Sequence, residues 1–213
     1  MIRALVLSAT LAVMPVVATA QEVPSPPAGT YQLDPAHARL IFRVNHLGFS
    51  KYTAFFKTFA ATLQFDPANP AAMTLSATVD PASVETHYPD ASFDFNATIA
   101  GPELLDAGQF PTMTYVSTGI TVTGEKTADV TGDLTLHGVT KPVVLAVTFN
   151  GGYGANDMDP GGARIGFSAV GMLKRSEFGM GFGVPAPGTT MGVFDEVEII
   201  IEAEFLNADA KKP

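Results

Sequence analysis

The sequence has no cysteine and no tryptophan in 213 residues, only four histidines, and few charges. Without cysteine there is no disulfide framework, no thiolate zinc or iron–sulfur ligation, no thiol nucleophile and no lipid-modified N-terminal cysteine. Charged residues make up 15% of the chain against 46% hydrophobic, a balance that suits a packed globular protein and not a disordered acidic tail. Bases are the scarcer sign, 12 Lys and Arg against 21 Asp and Glu, for a formal net charge of −9. That field repels phosphates, so nucleic acid is not expected as a partner, nor is an anionic head group drawn by bulk attraction. The expected partners are small, apolar or cationic.

Long apolar runs are also lacking, except at the start. Arg3 is the only charge in residues 1–20, residues 4–17 are nearly all apolar, and Ala18-Thr19-Ala20 has the small-x-small form of a cleavage site. This predicts a secretory signal peptide over 1–20, cut after Ala20. The run falls short of the ~20 residues that cross a bilayer, so no stable membrane span is expected. The mature chain would start at Gln21 with eleven bases and twenty-one acids, a formal charge of −10. Residues 21–28, Gln-Glu-Val-Pro-Ser-Pro-Pro-Ala, form a Pro-rich leader unsuited to a helix or a central strand.

Gly and Pro are plentiful, at 20 and 16, and between them the dominant period is two. Met73, Leu75, Ala77 and Val79 alternate with polar neighbours, as do Val143, Leu145, Val147 and Phe149, and Ile165, Phe167 and Ala169. In the last such run Val197, Ile199, Ile201, Ala203 and Phe205 interleave mostly with glutamates, which gives one apolar and one wet face. Further strands are predicted over 29–34, 39–46, 53–66, 112–122 and 129–136. Asp-Pro and Asn-Pro turns separate them. Only 47–52 and 102–107 read as short helices, the second with Pro102 at an early helical position. With no repeat and no shift of composition, about eight or nine strands predict one all-β domain, an antiparallel barrel or a sandwich.

A barrel of about eight strands holds packed side chains or one slender ligand. Aromatics crowd the early strands: Phe42, Phe49, Phe55, Phe56, Phe59 and Phe65, followed by Phe93, Phe95, Phe110 and Tyr115. They fit an ordinary core or the lining of an apolar cavity. Small strand residues such as Ala54, Ala60, Ala61, Gly132 and Gly171 favour the cavity by leaving room. His37, His46, His87 and His137 have no short paired spacing, so no metal site is expected. No serine stands in Gly-x-Ser-x-Gly, and Gly179-Met-Gly-Phe-Gly183 follows no phosphate-loop pattern. No catalytic residue is assigned.

Tyr31-Gln-Leu-Asp34-Pro-Ala-His37 and Phe42-Arg-Val-Asn-His46-Leu-Gly48-Phe-Ser50 resemble the opening of the YceI-like, or polyisoprenoid-binding, family. Leu105-Asp-Ala107 with Phe110-Pro-Thr-Met-Thr-Tyr115 resembles its central block. Gly132-Asp-Leu-Thr-Leu-His137-Gly-Val-Thr-Lys-Pro142 is the most specific match, and Arg175-Ser-Glu-Phe178-Gly with Asp195-Glu-Val197 closes the pattern. The resemblance spans about 29–206, leaving 207–213 as a tail. It implies a lipocalin-like antiparallel barrel of about eight strands with one or two short helices. It further implies a non-enzymatic periplasmic carrier of a long-chain isoprenoid lipid, of polyprenyl or isoprenoid-quinone type, with no required cofactor. By that analogy Phe42, Val44, Phe49, Phe56, Phe59, Leu63, Leu75, Tyr115 and Leu136 contact the lipid chain. His46, Arg175 and Phe178 would sit near the mouth or the polar head. The chain departs from the family at Ala38, usually Ser, at Ala54, often Gly, and at Phe95-Asn-Ala-Thr-Ile99, where the family carries a charged Arg-Asp-x-His-Leu segment.

Burying about ten methylenes gives roughly 8 kcal/mol, or about micromolar affinity before ordering costs. A long apolar chain is therefore a reasonable ligand. The rival expectation is a lipid ester or amide hydrolase, or a quinone-linked redox partner, using His37, His46, His137 and Arg175. A homodimer through the edge of the last strand stays open.

Overall fold

The computed structural model describes residues 23–211. The expected signal peptide 1–20, its cleavage site, Gln21 and Glu22, and the last two residues of the tail lie outside that range. Ten strands form one antiparallel sheet: β1 Gly29–His46, β2 Ser50–Phe56, β3 Phe59–Phe65, β4 Thr74–Val79, β5 Val84–Glu85, β6 Met113–Val122, β7 Thr127–Leu136, β8 Val139–Tyr153, β9 Ala163–Lys174 and β10 Val193–Asn207. The ring of neighbours runs β1, β10, β9, β8, β7, β6, β4, β3 and returns to β1, a closed barrel of eight strands. β2 pairs with the second half of β1, and β5 extends β2. The sandwich alternative is thereby set aside. β10 is paired on both sides, so it offers no free edge to a second chain.

β1 is one continuous strand where two were expected, bent by an irregularity between Leu33 and Ala38 where its register with β10 slips. The expected strand 53–66 is two, interrupted at Lys57 and Thr58, whose backbone amides bond instead to the Ser83 carbonyl (3.0 Å) and the Ser83 hydroxyl (3.0 Å). Residues 47–49 form a turn, with Leu47 at φ 56° and Gly48 at φ 77°, and 50–52 already belong to β2. The one α-helix among the described residues, α1, is Phe95–Ala100, ahead of the expected 102–107. Asp94 caps it by accepting from the Ala97 amide at 2.9 Å, and Gly101-Pro102 ends it. Pro102 thus stands after the helix and not at its start.

Alternation puts one face of every strand inside. At the lower end, where β1 begins, Tyr31, Phe65, Phe149, Phe167 and Phe205 form a chain of rings with successive centroids 5.3–6.0 Å apart. The leader crosses this end: the Tyr31 hydroxyl donates to the Pro27 carbonyl at 2.8 Å, and the Gly154 amide to the Pro24 carbonyl at 2.7 Å. At the upper end Phe178, Met180, Leu136, Met113 and Leu105 pack together. The two clusters share Leu75 and Ile201.

Two of the small residues that suggested empty space are filled by neighbours. A methyl group on Gly132 would overlap the Tyr115 ring, and one on Gly171 would meet Leu145. Gly132→Ala is expected to destabilise the fold by about 1–3 kcal/mol through overpacking. Gly119, which has no neighbour in reach, should accept alanine with little change in unfolding midpoint.

Candidate functional site

Cross-strand register sets the inner wall. Leu40, Phe42 and Val44 of β1 face Ile201, Ile199 and Val197 of β10, which face Ala169, Gly171 and Leu173 of β9. On the opposite side Phe59, Ala61 and Leu63 of β3 face Val79, Ala77 and Leu75 of β4. Residues at the two ends are sealed: Tyr31 is 0% exposed, Ile165 1% and Phe178 1%. Between them the inward apolar side chains Leu40, Phe42, Ala61, Leu75, Ala77, Val147, Ile199 and Ile201 stay partly exposed, although they pack against the core clusters. An inward side chain of a closed sheet keeps accessible surface only where it borders free space. This belt is the partly accessible stretch of the apolar inner wall, and no charged or titratable group belongs to it. Two depressions elsewhere, about 230 Å³ by β8, β9 and Phe178 and about 300 Å³ by the start of β1 and the C-terminal tail, contain none of the belt residues.

Of the predicted contacts, Phe42 and Leu75 lie in the belt, Phe59 is partly buried and packs against the lower cluster, and Val44, Phe56, Leu63, Tyr115 and Leu136 are buried inward around it. Phe42 and Phe56 touch, with ring centroids 5.4 Å apart. Tyr115 acts as a brace. Its hydroxyl lies 3.0 Å from the Val130 carbonyl and 3.3 Å from that of Val143, and burial, with Asp133 adding, pushes its pKa up to about 12. Phe49 points away from the lumen, 85% exposed, and His46 is exposed at the end of β1. Sequence reasoning passed over Leu40, Val147, Ile199 and Ile201. The alternation of β10 was visible, but its register against Phe42 is set by pairing across more than 150 residues.

Arg175 departs most from expectation. Its guanidinium is buried and donates to four backbone carbonyls: Phe194 at 3.0 Å, Met180 at 2.9 Å, Phe182 at 2.7 Å and Val193 at 2.7 Å. Burial lowers its pKa from the usual arginine range. It ties the chain after β9 to the start of β10, and a lipid head group finds no presented guanidinium there. Phe178 is a buried wedge beside it, and its carbonyl accepts from His137 Nδ1 at 3.0 Å. The His137 ring lies 4.9 Å from that of Phe110. His37 pairs with Asp34 at 3.0 Å on the outer wall. No hydrogen bond joins any two of His37, His46, His137 and Arg175 among the described residues, so they form no linked catalytic set.

Asp34, His37 and Glu204 are the one group among the described residues with donors close enough for a cation. Asp34, however, is committed: it accepts from Arg164 at 2.7 Å, from His37 at 3.0 Å and from the Ala36 amide at 3.0 Å. Arg164 also holds Asp159. The cluster reads as a brace across β1 and β9.

Residues 31–205 match the YceI-like domain family. A UPF0312 protein of Pseudomonas savastanoi pv. phaseolicola is 40% identical over 160 residues, covering 75% of this chain and 77% of the relative. Burkholderia cenocepacia BcnA has a solved structure that superposes with TM-score 0.66 at 30% identity, over 81% of this chain and 98% of that one. A polyisoprenoid binding domain from Saccharophagus degradans, implicated in plant cell wall breakdown, gives TM-score 0.55 at 14% identity, covering 83% of this chain and 97% of that one, a likeness of fold alone.

The hydrogen bond from His37, then that from Arg164, hold the Asp34 carboxyl well below the usual range, at about 2. Its stabilisation is present above pH ~4 and is lost as the carboxylate protonates between pH ~4 and ~2. In unfolding titrations across that window, Asp34→Asn should show a shallower loss of stability than the parent chain.

Proposed function

This chain belongs to the YceI-like domain family, and on that premise we propose that it is an exported carrier that holds the apolar chain of an isoprenoid lipid in its barrel, without chemistry. The observation that carries this reading is the belt: aliphatic and aromatic side chains, uncharged, turned inward and still partly accessible. Such a wall offers contact area and no acid, base or nucleophile. Affinity then scales with the apolar surface removed from water, while the length of the ligand offsets its ordering cost. The fold shared with a polyisoprenoid binding domain supports an isoprenoid chain among the possible long-chain lipids. The chain at 95–99 lacks the charged segment usual in the family, and Arg175 spends its donors on backbone, so recognition rests on the tail more than on the head group.

The N-terminal pattern of residues 1–20 supports periplasmic export. Edman degradation of the protein secreted by its native host should begin at Gln21; retention of residues 1–20 in the folded, soluble pool would contradict export.

Mass spectrometry of organic extracts from the purified protein should find a prenyl chain at up to one per protein. Finding none, together with no uptake of a polyprenol, an isoprenoid quinone or a fatty amide, would overturn the carrier reading. Phe42→Glu places a charge in the belt and should weaken uptake by about tenfold or more, the scale of one large apolar contact, as read by displacement of a fluorescent lipid.

A further inference from the structure

The β1–β2 turn and the connection from β9 to β10 meet at the upper end of the barrel, and they carry apolar side chains that the fold leaves in solvent. Phe49, in the turn between β1 and β2, is 85% exposed; Met191 and Phe182, between β9 and β10, are 76% and 59% exposed. The segments are tied to one another. The Leu47 amide donates to the Gly192 carbonyl at 2.9 Å, and the Val193 amide to the Gly183 carbonyl at 2.9 Å. A methyl group on Gly48 would touch the Thr190 side chain. Buried Arg175 holds the same segment from below through the carbonyls of Met180, Phe182 and Val193. The exposed side chains therefore stand on a fastened rim.

The composition of that rim says what it faces. Residues 178–194 hold no charged residue in seventeen positions, and 47–50 hold none, in a chain whose 15% charge would place two or three in the longer stretch alone. Among the flanking charges, Lys51 and Arg43 both pair with Glu198 at 3.0 Å and Asp195 accepts from Ser176 at 2.7 Å, while Glu177 is exposed just before the stretch. An acidic protein with one uncharged, aromatic-tipped end matches a neutral lipid surface in charge, while its remaining surface is repelled by anionic ones. Strands β1 and β10, which carry Phe42 and Ile199, run out into this rim.

We propose that the rim of Phe49, Phe182 and Met191 docks the barrel onto zwitterionic bilayers, so that the carrier meets its lipid at the membrane surface. This rests on the carrier reading for its purpose, but docking is measured separately from uptake. Insertion of a few side chains predicts weak, reversible and salt-insensitive association, reduced as phosphatidylglycerol is added.

The test uses the mature chain with phosphatidylcholine/phosphatidylethanolamine vesicles and compares it with the double variant Phe49→Ser/Met191→Ser and with the conservative Phe49→Leu/Met191→Leu. All these positions are exposed, and far-ultraviolet circular dichroism checks that each variant folds. The parent and the leucine variant should sediment with vesicles, and the serine variant should lose about tenfold or more in partitioning, the scale of one large apolar contact. Uptake of a polyprenol presented in solution should stay within about twofold in all three. Equal sedimentation of parent and serine variant, or none by the parent, overturns docking. A serine variant whose only change is a smaller oligomer in solution overturns it in favour of a contact between copies. If no form takes up polyprenol from solution, the carrier reading fails, whereas vesicle sedimentation still decides the rim.

Discussion

The pairing of β1 with β10 is the constraint on which the rest of the molecule depends. The ladder runs from Gln32 against Leu206 to Val44 against Val197 and His46 against Val193, joining the two ends of the domain. Once it forms, the ring of eight strands has no open edge, and alternation becomes a distinction between inside and outside. The glutamates of β10 then stand on the outer wall, where Glu198 meets Arg43 and Lys51, and Ile199 and Ile201 stand on the inner one.

What fills an eight-stranded interior is decided by side-chain volume at each level. The five rings of Tyr31, Phe65, Phe149, Phe167 and Phe205 fill the lower end, and Phe178, Met180 and their neighbours fill the upper end. Between them the wall is built from Ala61, Ala77, Leu75, Ile199 and Ile201, which pack against the core clusters and keep residual exposure. Native cores are packed near crystal density, so such looseness is costly unless a ligand takes the space. On the carrier reading, binding and folding are two uses of one apolar face, with the ends spent on stability and the middle left for the ligand.

Much of this was legible in the sequence, for a physical reason. Period two is a local signal, so the run from Val197 to Phe205 shows a strand with one apolar face, and Phe42 and Leu75 fall on the correct face by the same parity. Features set by long-range contacts were not legible. The break at Lys57 and Thr58 depends on Ser83, and the helix at 95–100 depends on Asp94 as its cap. Gly132 looks like spare room until Tyr115 is seen lying over it. Arg175 carries a charge that invites a functional reading, yet four carbonyls converging from residues 180–194 make it a structural tie, and no local pattern announces that convergence. The expected export signal is a local pattern, and it lies outside the described residues.

The carrier reading requires occupancy of the middle of the barrel by a lipid chain. It is tested most directly by isotope-filtered nuclear Overhauser spectroscopy on the methyl-labelled protein saturated with a protonated polyprenol. Cross-peaks from the prenyl chain to the methyls of Leu75, Ile199 and Ile201 are the predicted result. Cross-peaks confined to outward methyls such as Val144 and Val170, with the inner methyls silent, would contradict it.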